Sequence, residues 1–273
     1  MVKNCMIWFI GLVIALMSGL AAMGAIAKNK APELAISLSP INGFAFESIV
    51  SKAVKASIAE NGGKFPNDID PKETEFARKA FFAEPATPAA IAVLALGQAQ
   101  QNRQQLMGEA LSLSRRQPLI TAWMIIESGA QNDMSALLNH YDTMLRTSTS
   151  AASVIIPLMT DVLANDDFIS PFARLLKKQP PWADQFWGAA AVNPESISNA
   201  ADLRKMLYQP DETDDIYLDA LLISGLVQNQ QFEQAERLYL HLVGAKEKRS
   251  LIQNGSFNVK TKYAPIDWQL FST

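Results

Sequence analysis

The chain has 273 residues, of which 49% are apolar and 19% are charged, a composition typical of a folded protein rather than a disordered one. Its 24 basic and 27 acidic side chains give a net charge of −3 without a basic block, which argues against a nucleic-acid-binding protein. A single cysteine excludes an intrachain disulfide framework and a cysteine-based zinc site.

An uncharged apolar segment near the amino terminus covers residues 6–27. At a helical rise of about 1.5 Å per residue, its 22 residues are long enough to cross a hydrocarbon core of roughly 30 Å. We therefore interpret residues 1–30 as a transmembrane anchor. A buried core helix of this length would carry more polar residues than Ser18 alone.

A cleaved signal peptide is the alternative interpretation of the same segment. Lys3 supplies the positive start, and Ala25-Ile26-Ala27 resembles the small-residue site at which signal peptides are cleaved. The apolar run is longer than a typical signal core of about 7–15 residues, and this favours the retained anchor.

The orientation of the anchor is not decided by its flanking lysines, because Lys3 lies on one side and Lys28 and Lys30 lie on the other. The signal-like start favours a cytoplasmic amino terminus. We therefore expect a single-pass protein of the bacterial inner membrane with its helical body in the periplasm. Cys5 is expected to be a free thiol at the membrane interface rather than a lipid attachment site.

The first helices after the anchor are marked by their ends. Apolar residues at three- and four-residue spacings predict a helix over residues 43–60, which Asn61-Gly62-Gly63 should end as a left-handed cap. The next helix should begin at Asp70, with Pro71 in its first turn, and end at Pro85.

The body of the chain repeats with a period near 33 or 34 residues. Three pairs of residues are 33 apart: Ala77 and Ala110, Pro85 and Pro118, and Ala90 and Trp123. The Ala110-Leu111 pair is followed 34 residues later by Met144-Leu145. Such a fixed period indicates that one structural unit is repeated along the chain.

Each unit contains two predicted helices. Residues 119–130 and 135–147 form one pair joined by Asn132-Asp133, and residues 221–242 contain a second pair joined by a polar turn. Antiparallel helices of about 12 residues, a small alanine where they cross and a period near 34 are the features of the tetratricopeptide unit.

The chain thus resembles the tetratricopeptide-repeat (TPR) family over residues 73–149 and 216–242. Leu96-Gly97 matches the Leu-Gly pair of that family, and Trp123 supplies a tryptophan at the expected place. The resemblance implies an all-α fold, in which residues 31–245 form a TPR-like α-solenoid of helical hairpins. It implies no particular ligand.

The segment between these hairpins is less regular, although its elements can still be placed. Helices are predicted over residues 152–164, 170–178 and about 197–206, with a link at 166–170, a break at Pro180-Pro181-Trp182 and a turn at 209–212.

The carboxyl-terminal tail, residues 246–273, has a different pattern. Asn254-Gly255 is typical of a hairpin turn, and residues 256–263 alternate as a strand would, so a short β-like tail is expected. The order of anchor, hairpins, Pro-Pro-Trp segment and Asp267-Trp268 tail resembles that of membrane-anchored TPR-like proteins of alphaproteobacteria, some of them encoded beside exopolysaccharide genes. This resemblance implies no assigned activity.

No catalytic, metal-binding or cofactor-binding residues are predicted. His140 and His241 are about 100 residues apart and neither has a second histidine at helical spacing. The acidic groups at Asp68–Asp70, Asn165–Asp167 and Asp211–Asp215 lack the pattern of a calcium loop and are interpreted as helix starts. Common hydrolase, zinc-protease and nucleotide motifs are missing from the sequence.

Two functions of different kinds remain open. The first is a non-enzymatic, membrane-anchored scaffold or adaptor that binds a protein or peptide partner, with a role in cell-envelope or exopolysaccharide assembly. The alternative is a polysaccharide-binding or polysaccharide-processing accessory protein, for which Trp182, Trp187 and Trp268 could stack on sugars. Core packing is the other interpretation of these tryptophans. The residues that would bind the partner are unknown at this level.

Overall fold

The computed structural model describes residues 2–61, 65–66, 68–148, 150–209, 215–244, 262–263 and 265–267. Over these ranges the chain is all-helical, with fourteen α-helices, one 3-10 helix and no strand. It divides into two compact units, Met1–Ile126 and Glu127–Thr273.

The first unit begins with the long apolar helix and continues through shorter ones. Its helices are α1 (Val2–Ala27), α2 (Pro32–Leu38), α3 (Gly43–Glu60), α4 (Pro71–Ala83), α5 (Pro88–Leu96) and α6 (Gln100–Leu113), and α7 (Pro118–Ala130) runs across the boundary. Successive helices contact each other from α1 to α6, and α3 also contacts α5. Small and branched residues fill the centre, among them Val50, Val54, Ala77, Ala80, Ala90, Met107 and Ala110.

The predicted starts of α3 and α4 are confirmed because local side chains cap them. The Asn42 carboxamide oxygen accepts a hydrogen bond from the Ala45 N–H at 3.1 Å, and the Asp70 carboxylate accepts one from the Lys72 N–H at 2.7 Å. The predicted left-handed cap is wrong at Asn61, whose φ is −87°. Gly62 and Gly63 lie outside the described residues.

The repeat has a different register from the predicted one. Pro88 and Pro118 both stand at the first position of their helices, α5 and α7, so equivalent helix starts are 30 residues apart here. The sequence pairing of Pro85 with Pro118 is therefore one helical turn out of register. Pro85 instead lies in the link after α4, whose predicted end at Pro85 is two residues beyond the observed one at Ala83.

The amino-terminal end of α5 is capped by a side chain from a different helix. The helix-preceding residue, Thr87, makes no side-chain cap, and the Ala89 N–H instead donates to the Glu47 carboxylate of α3 at 2.7 Å. Burial raises the pKa of Glu47, while the backbone N–H groups of Ala89 and Ala90 act in the opposite direction. This contact joins α3 to α5 at a point that no local sequence pattern marks.

Ala110→Leu is expected to destabilise the first unit by about 1–3 kcal/mol, because Ala110 is fully buried and leucine would overpack its site on α6. Urea unfolding of the full chain in detergent, followed by circular dichroism, measures the change. Its matched control is Glu109→Leu, which places the same side chain at the exposed neighbouring position. Equal effects of the two substitutions would show that the interior of this unit does not include Ala110.

The second unit contains seven further α-helices. They are α8 (Met134–Thr147), α9 (Ala152–Leu163), α10 (Ile169–Leu176), α11 (Ala183–Ala190), α12 (Ile197–Leu207), α13 (Ile216–Gln228) and α14 (Phe232–Leu242), with a 3-10 helix at Asp166–Phe168. Helices two places apart in the chain contact each other from α8 to α14. Aromatic rings fill the interior, and the Phe172 and Phe186 rings stack with their centroids 5.0 Å apart.

The helices predicted over residues 135–147, 152–164, 170–178 and 197–206 are confirmed to within two residues, and α13 begins at Ile216, five residues before the hairpin read over 221–242. The helix α11 was not predicted, because its sequence follows the Pro180-Pro181 break and contains Gly188. Between α13 and α14, Gln230 adopts a φ of +61° and makes the tight turn expected there. The predicted turn at residues 209–212 lies outside the described residues except for Gln209.

The described part of the tail forms a turn that packs on α14. The Asp267 carboxylate accepts hydrogen bonds from the Tyr239 hydroxyl at 2.9 Å and from the N–H groups of Lys262 and Tyr263 at 2.8 and 2.9 Å. Tyr263 is buried against the Tyr239 ring. Lys262 and Tyr263 are not in a strand, so the predicted β-like tail is unsupported there, and residues 256–261 lie outside the described residues.

The Tyr239 contact predicts a specific alkaline sensitivity. Burial and the hydrogen bond to Asp267 raise the pKa of Tyr239 to about 12, above the usual value of about 10. The folded chain therefore holds this proton more tightly, so its contribution to stability is complete below about pH 10 and is lost as the pH rises towards 12.

Tyr239→Phe should remove this part of the fall in stability between about pH 10 and pH 12, measured as the shift of the urea midpoint. Tyr217→Phe is the matched control, because Tyr217 is an exposed tyrosine at the start of α13. A pH dependence that is identical in Tyr239→Phe and in the unmodified chain would contradict the prediction.

Candidate functional site

A surface groove with a volume of about 530 Å³ lies within the second unit. It is lined by the end of α10, the segment between α10 and α11, the face of α11, the end of α12 and the start of α13. We call it the α12 groove. The lining residues used below are Lys177, Gln179, Pro180, Pro181, Asp184, Trp187, Arg204, Met206 and Asp215.

The rigid side of the α12 groove is made by a chain reversal before α11. Gln179 adopts a φ of +48°, a left-handed conformation that turns the chain at the end of α10. Pro180 and Pro181 follow, and their fixed φ angles restrict the backbone of this segment to one conformation. The result is a wall whose shape is set by the backbone.

The floor of the α12 groove is aromatic and apolar. Trp187 of α11 lies there with 8% of its surface exposed, and its ring packs edge-on against Phe186 at 5.5 Å. Met206, at the end of α12, is exposed at the groove. Because Trp187 is already almost buried, the apolar surface that a ligand would remove from water here is mainly that of Met206.

A buried ion pair holds α12 to α13 beneath the groove. The Arg204 guanidinium donates to both carboxylate oxygens of Asp219, with N···O distances of 2.5 and 3.1 Å, and both side chains are buried. Arg204 also lies over the Tyr208 ring at 5.4 Å. Because the opposite charges are paired, this part of the groove is structural rather than an anion site.

The charges at the rim have mixed signs. Lys177 and Asp184 are exposed there, and Asp215 uses its carboxylate to accept from the Leu218 N–H at 3.0 Å, as the cap of α13. The described lining residues include no His, Cys or Ser that could act as a nucleophile or its base. The geometry therefore offers a binding surface of mixed polarity.

The two histidines of the sequence do not come together in a site. His140 is half-buried on α8, where burial lowers its pKa despite the nearby Asp133. His241 on α14 packs its ring against Tyr208 at 5.6 Å. Among the residues that the structure describes, no three His, Cys, Asp or Glu side chains form a group that could hold a metal ion.

The acidic groups interpreted as helix starts have that role where they are described. Asp70 caps α4, as given above, and the Asn165 side chain accepts from the Asp167 N–H at 3.0 Å. Asp166 accepts a hydrogen bond from Asn199 of α12 at 2.9 Å, a contact that no local sequence pattern indicates. Residues 211–214 lie outside the described residues.

The tryptophans are packed inside the unit. Trp182 has 4% of its surface exposed, and its indole N–H donates to the Asp142 carboxylate at 2.9 Å. Trp187 is the floor residue described above. Both rings are almost completely buried, which favours the core-packing interpretation, and Trp268 lies outside the described residues.

Sequence reasoning missed the α12 groove, because its residues are brought together by tertiary packing. The one sequence feature that marks this groove is the Pro180-Pro181 break, which forms its wall. No family model, curated protein or solved structure matches this chain.

Proposed function

We propose that the protein is a membrane-anchored helical scaffold that binds a segment of a protein partner in the α12 groove. The groove itself carries the proposal: a depression of mixed polarity with a proline wall, the exposed Met206 side chain and a rim of mixed charge. Such a surface suits a peptide segment that presents an apolar side chain between polar backbone groups.

The anchor is supported by α1. Its Met6–Ala27 window is long enough to span a membrane, has a mean hydropathy of 2.3 and is only 6% buried. Large apolar side chains are exposed along it, including Ile7, Trp8, Phe9, Leu12, Leu16 and Met17. In water such a surface would be a liability, and a lipid environment removes it.

The inner membrane, the periplasmic side and a role in cell-envelope or exopolysaccharide assembly belong to the proposal as its biological setting. A protease added outside the inner membrane should digest the chain beyond Lys30 and leave the amino terminus protected. Mass measurement should find α1 retained. Protection of the whole helical body, or a mature chain that begins at Lys28, would contradict this topology.

The groove is tested by site-specific photocrosslinking in the full membrane-bound chain. A photoreactive residue at the exposed lining positions Asp184 or Met206 should form an adduct with one defined protein, identified by mass spectrometry. The same residue at Arg237, an exposed position on α14 that does not line the groove, is the matched control.

A substitution in the groove tests whether the crosslinked protein binds there. Met206→Glu should abolish the adduct formed from position 184, because a buried carboxylate on the partner interface costs binding free energy. Adducts of equal yield from the groove and from Arg237 would contradict the proposal. Retention of the chain on polysaccharide, with no protein adduct from the groove, would favour the polysaccharide-binding alternative instead.

A further inference from the structure

We propose that the first unit rests on the membrane surface beside α1, with Ile41 and Phe82 in contact with lipid. The inference rests on the proposed anchor, because it takes α1 as the membrane-spanning helix. It adds a second, peripheral contact between the folded body and the bilayer.

The turn between α2 and α3 lies level with the end of the apolar helix. A Cβ atom placed on Gly24 would lie 3.3 Å from the Ser39 Cβ and 3.4 Å from both the Ala35 carbonyl oxygen and the Asn42 side chain. Gly24 is about one helical turn before the end of the apolar window at Ala27. Ile41 lies between Ser39 and Asn42. With α1 spanning the membrane, Ile41 is therefore held at the boundary between the hydrocarbon core and the lipid headgroups.

The carboxyl-terminal end of α4 lies at the same end of the unit. A Cβ atom placed on Gly43 would lie 2.7 Å from the Glu84 Cβ and 2.8 Å from the Ala80 carbonyl oxygen. Since Gly43 begins α3 directly after Asn42, the last turn of α4 is close to the α2–α3 turn. Phe82 belongs to that last turn.

Two large apolar side chains are exposed at this end. Ile41 and Phe82 each have 81% of their surface accessible, and the Phe81 ring lies beside that of Phe82 with centroids 6.0 Å apart. The opposite end of α3 carries Glu60 and Asn61, which are polar and exposed. Among the described residues from the α2–α3 turn to the end of α4, the exposed large apolar side chains thus lie at the end that adjoins Gly43.

The position of Ile41 and Phe82 indicates that lipid, rather than another protein, covers them. The α2–α3 turn packs on α1 at Gly24, and residues 6–27 of α1 carry no charge, so a membrane around α1 brings lipid to this end of the unit without a further binding event. Lys28 lies over the Phe44 ring at 4.4 Å, which places a cation at the same level. Aromatic and basic residues are typical of the membrane interface.

The test measures the depth of spin labels on the full chain in vesicles of phosphatidylcholine with phosphatidylglycerol. Single cysteines replace Ile41, Phe82, Asn61 or Ile14 in a Cys5→Ser background, and each is labelled. Accessibility to oxygen, which concentrates in lipid, is compared with accessibility to a water-soluble nickel complex. Asn61 is the matched control, because α3 places it about 27 Å from Gly43.

The labels at Ile41 and Phe82 should show an oxygen-to-nickel accessibility ratio several-fold above that at Asn61. Melting of each labelled chain, followed by circular dichroism, verifies that it is folded. Equal ratios at Ile41, Phe82 and Asn61, with the Ile14 label in lipid, would overturn this inference and leave the anchor intact. An Ile14 label exposed to nickel would overturn the anchor and this inference together.

Discussion

Asp219→Ala should destabilise the second unit by about 3–5 kcal/mol, because it leaves the buried Arg204 charge without that carboxylate. Both side chains are almost completely removed from water, so solvent cannot replace the lost partner. The loss is measured as the fall in the free energy of unfolding from urea titration of the full chain in detergent.

The matched control removes an exposed ion pair from the same unit. Glu233→Ala breaks the contact with Arg237 on α14, where both side chains are more than half exposed, and should cost no more than about 0.5 kcal/mol. The double variant Arg204→Met with Asp219→Leu removes both charges and should recover most of the stability. A cost for Asp219→Ala no larger than for Glu233→Ala would show that the buried pair does not hold α12 to α13.

Gly225→Ala is expected to produce the second large effect, a destabilisation of about 3 kcal/mol, the upper end of what overpacking typically costs. A Cβ atom at Gly225 would lie 2.1 Å from the Ala191 carbonyl oxygen and 2.6 Å from the Ile197 Cδ1 atom. The first neighbour is backbone, so α13 could accept a methyl group only by moving away from the end of α11. The melting temperature of the full chain measures the change.

Gly188→Ala is the control for helix propensity. Gly188 lies inside α11, and a Cβ atom there would meet no other atom within 4 Å. Alanine should therefore stabilise this helix by up to about 1 kcal/mol, because it restricts the unfolded chain more than glycine does. A stabilising effect of Gly225→Ala would contradict the close approach of α13 to Ala191.

The helices were predictable from the sequence where their ends are locally encoded. Asn42, Asp70 and Asp133 each cap the helix that follows through a side-chain hydrogen bond within three residues. The apolar α1 could be predicted from length and hydropathy alone. The pairing of Pro85 with Pro118 did not identify Pro88, which stands at the first position of α5 as Pro118 does in α7.

The candidate site could not be predicted, because its contacts join residues that are distant in the chain. Arg204 and Asp219 are 15 residues apart, and nothing local marks either as the other's partner. Trp187 was considered as a sugar platform or a core residue, and only packing against Phe186 shows that its ring is enclosed. The same is true of the contact between Tyr239 and Asp267.

The sequence by itself determined the all-helical class, the apolar amino-terminal helix and most helix boundaries, because capping and periodicity act within one or two turns. The tertiary structure alone decided the repeat register, the buried pair beneath the α12 groove and the packing of the tail turn on α14. It also decided that Ile41 in the α2–α3 turn and Phe82 at the end of α4 stay exposed. These features depend on burial and shape complementarity between elements far apart in the chain, which a local pattern does not encode.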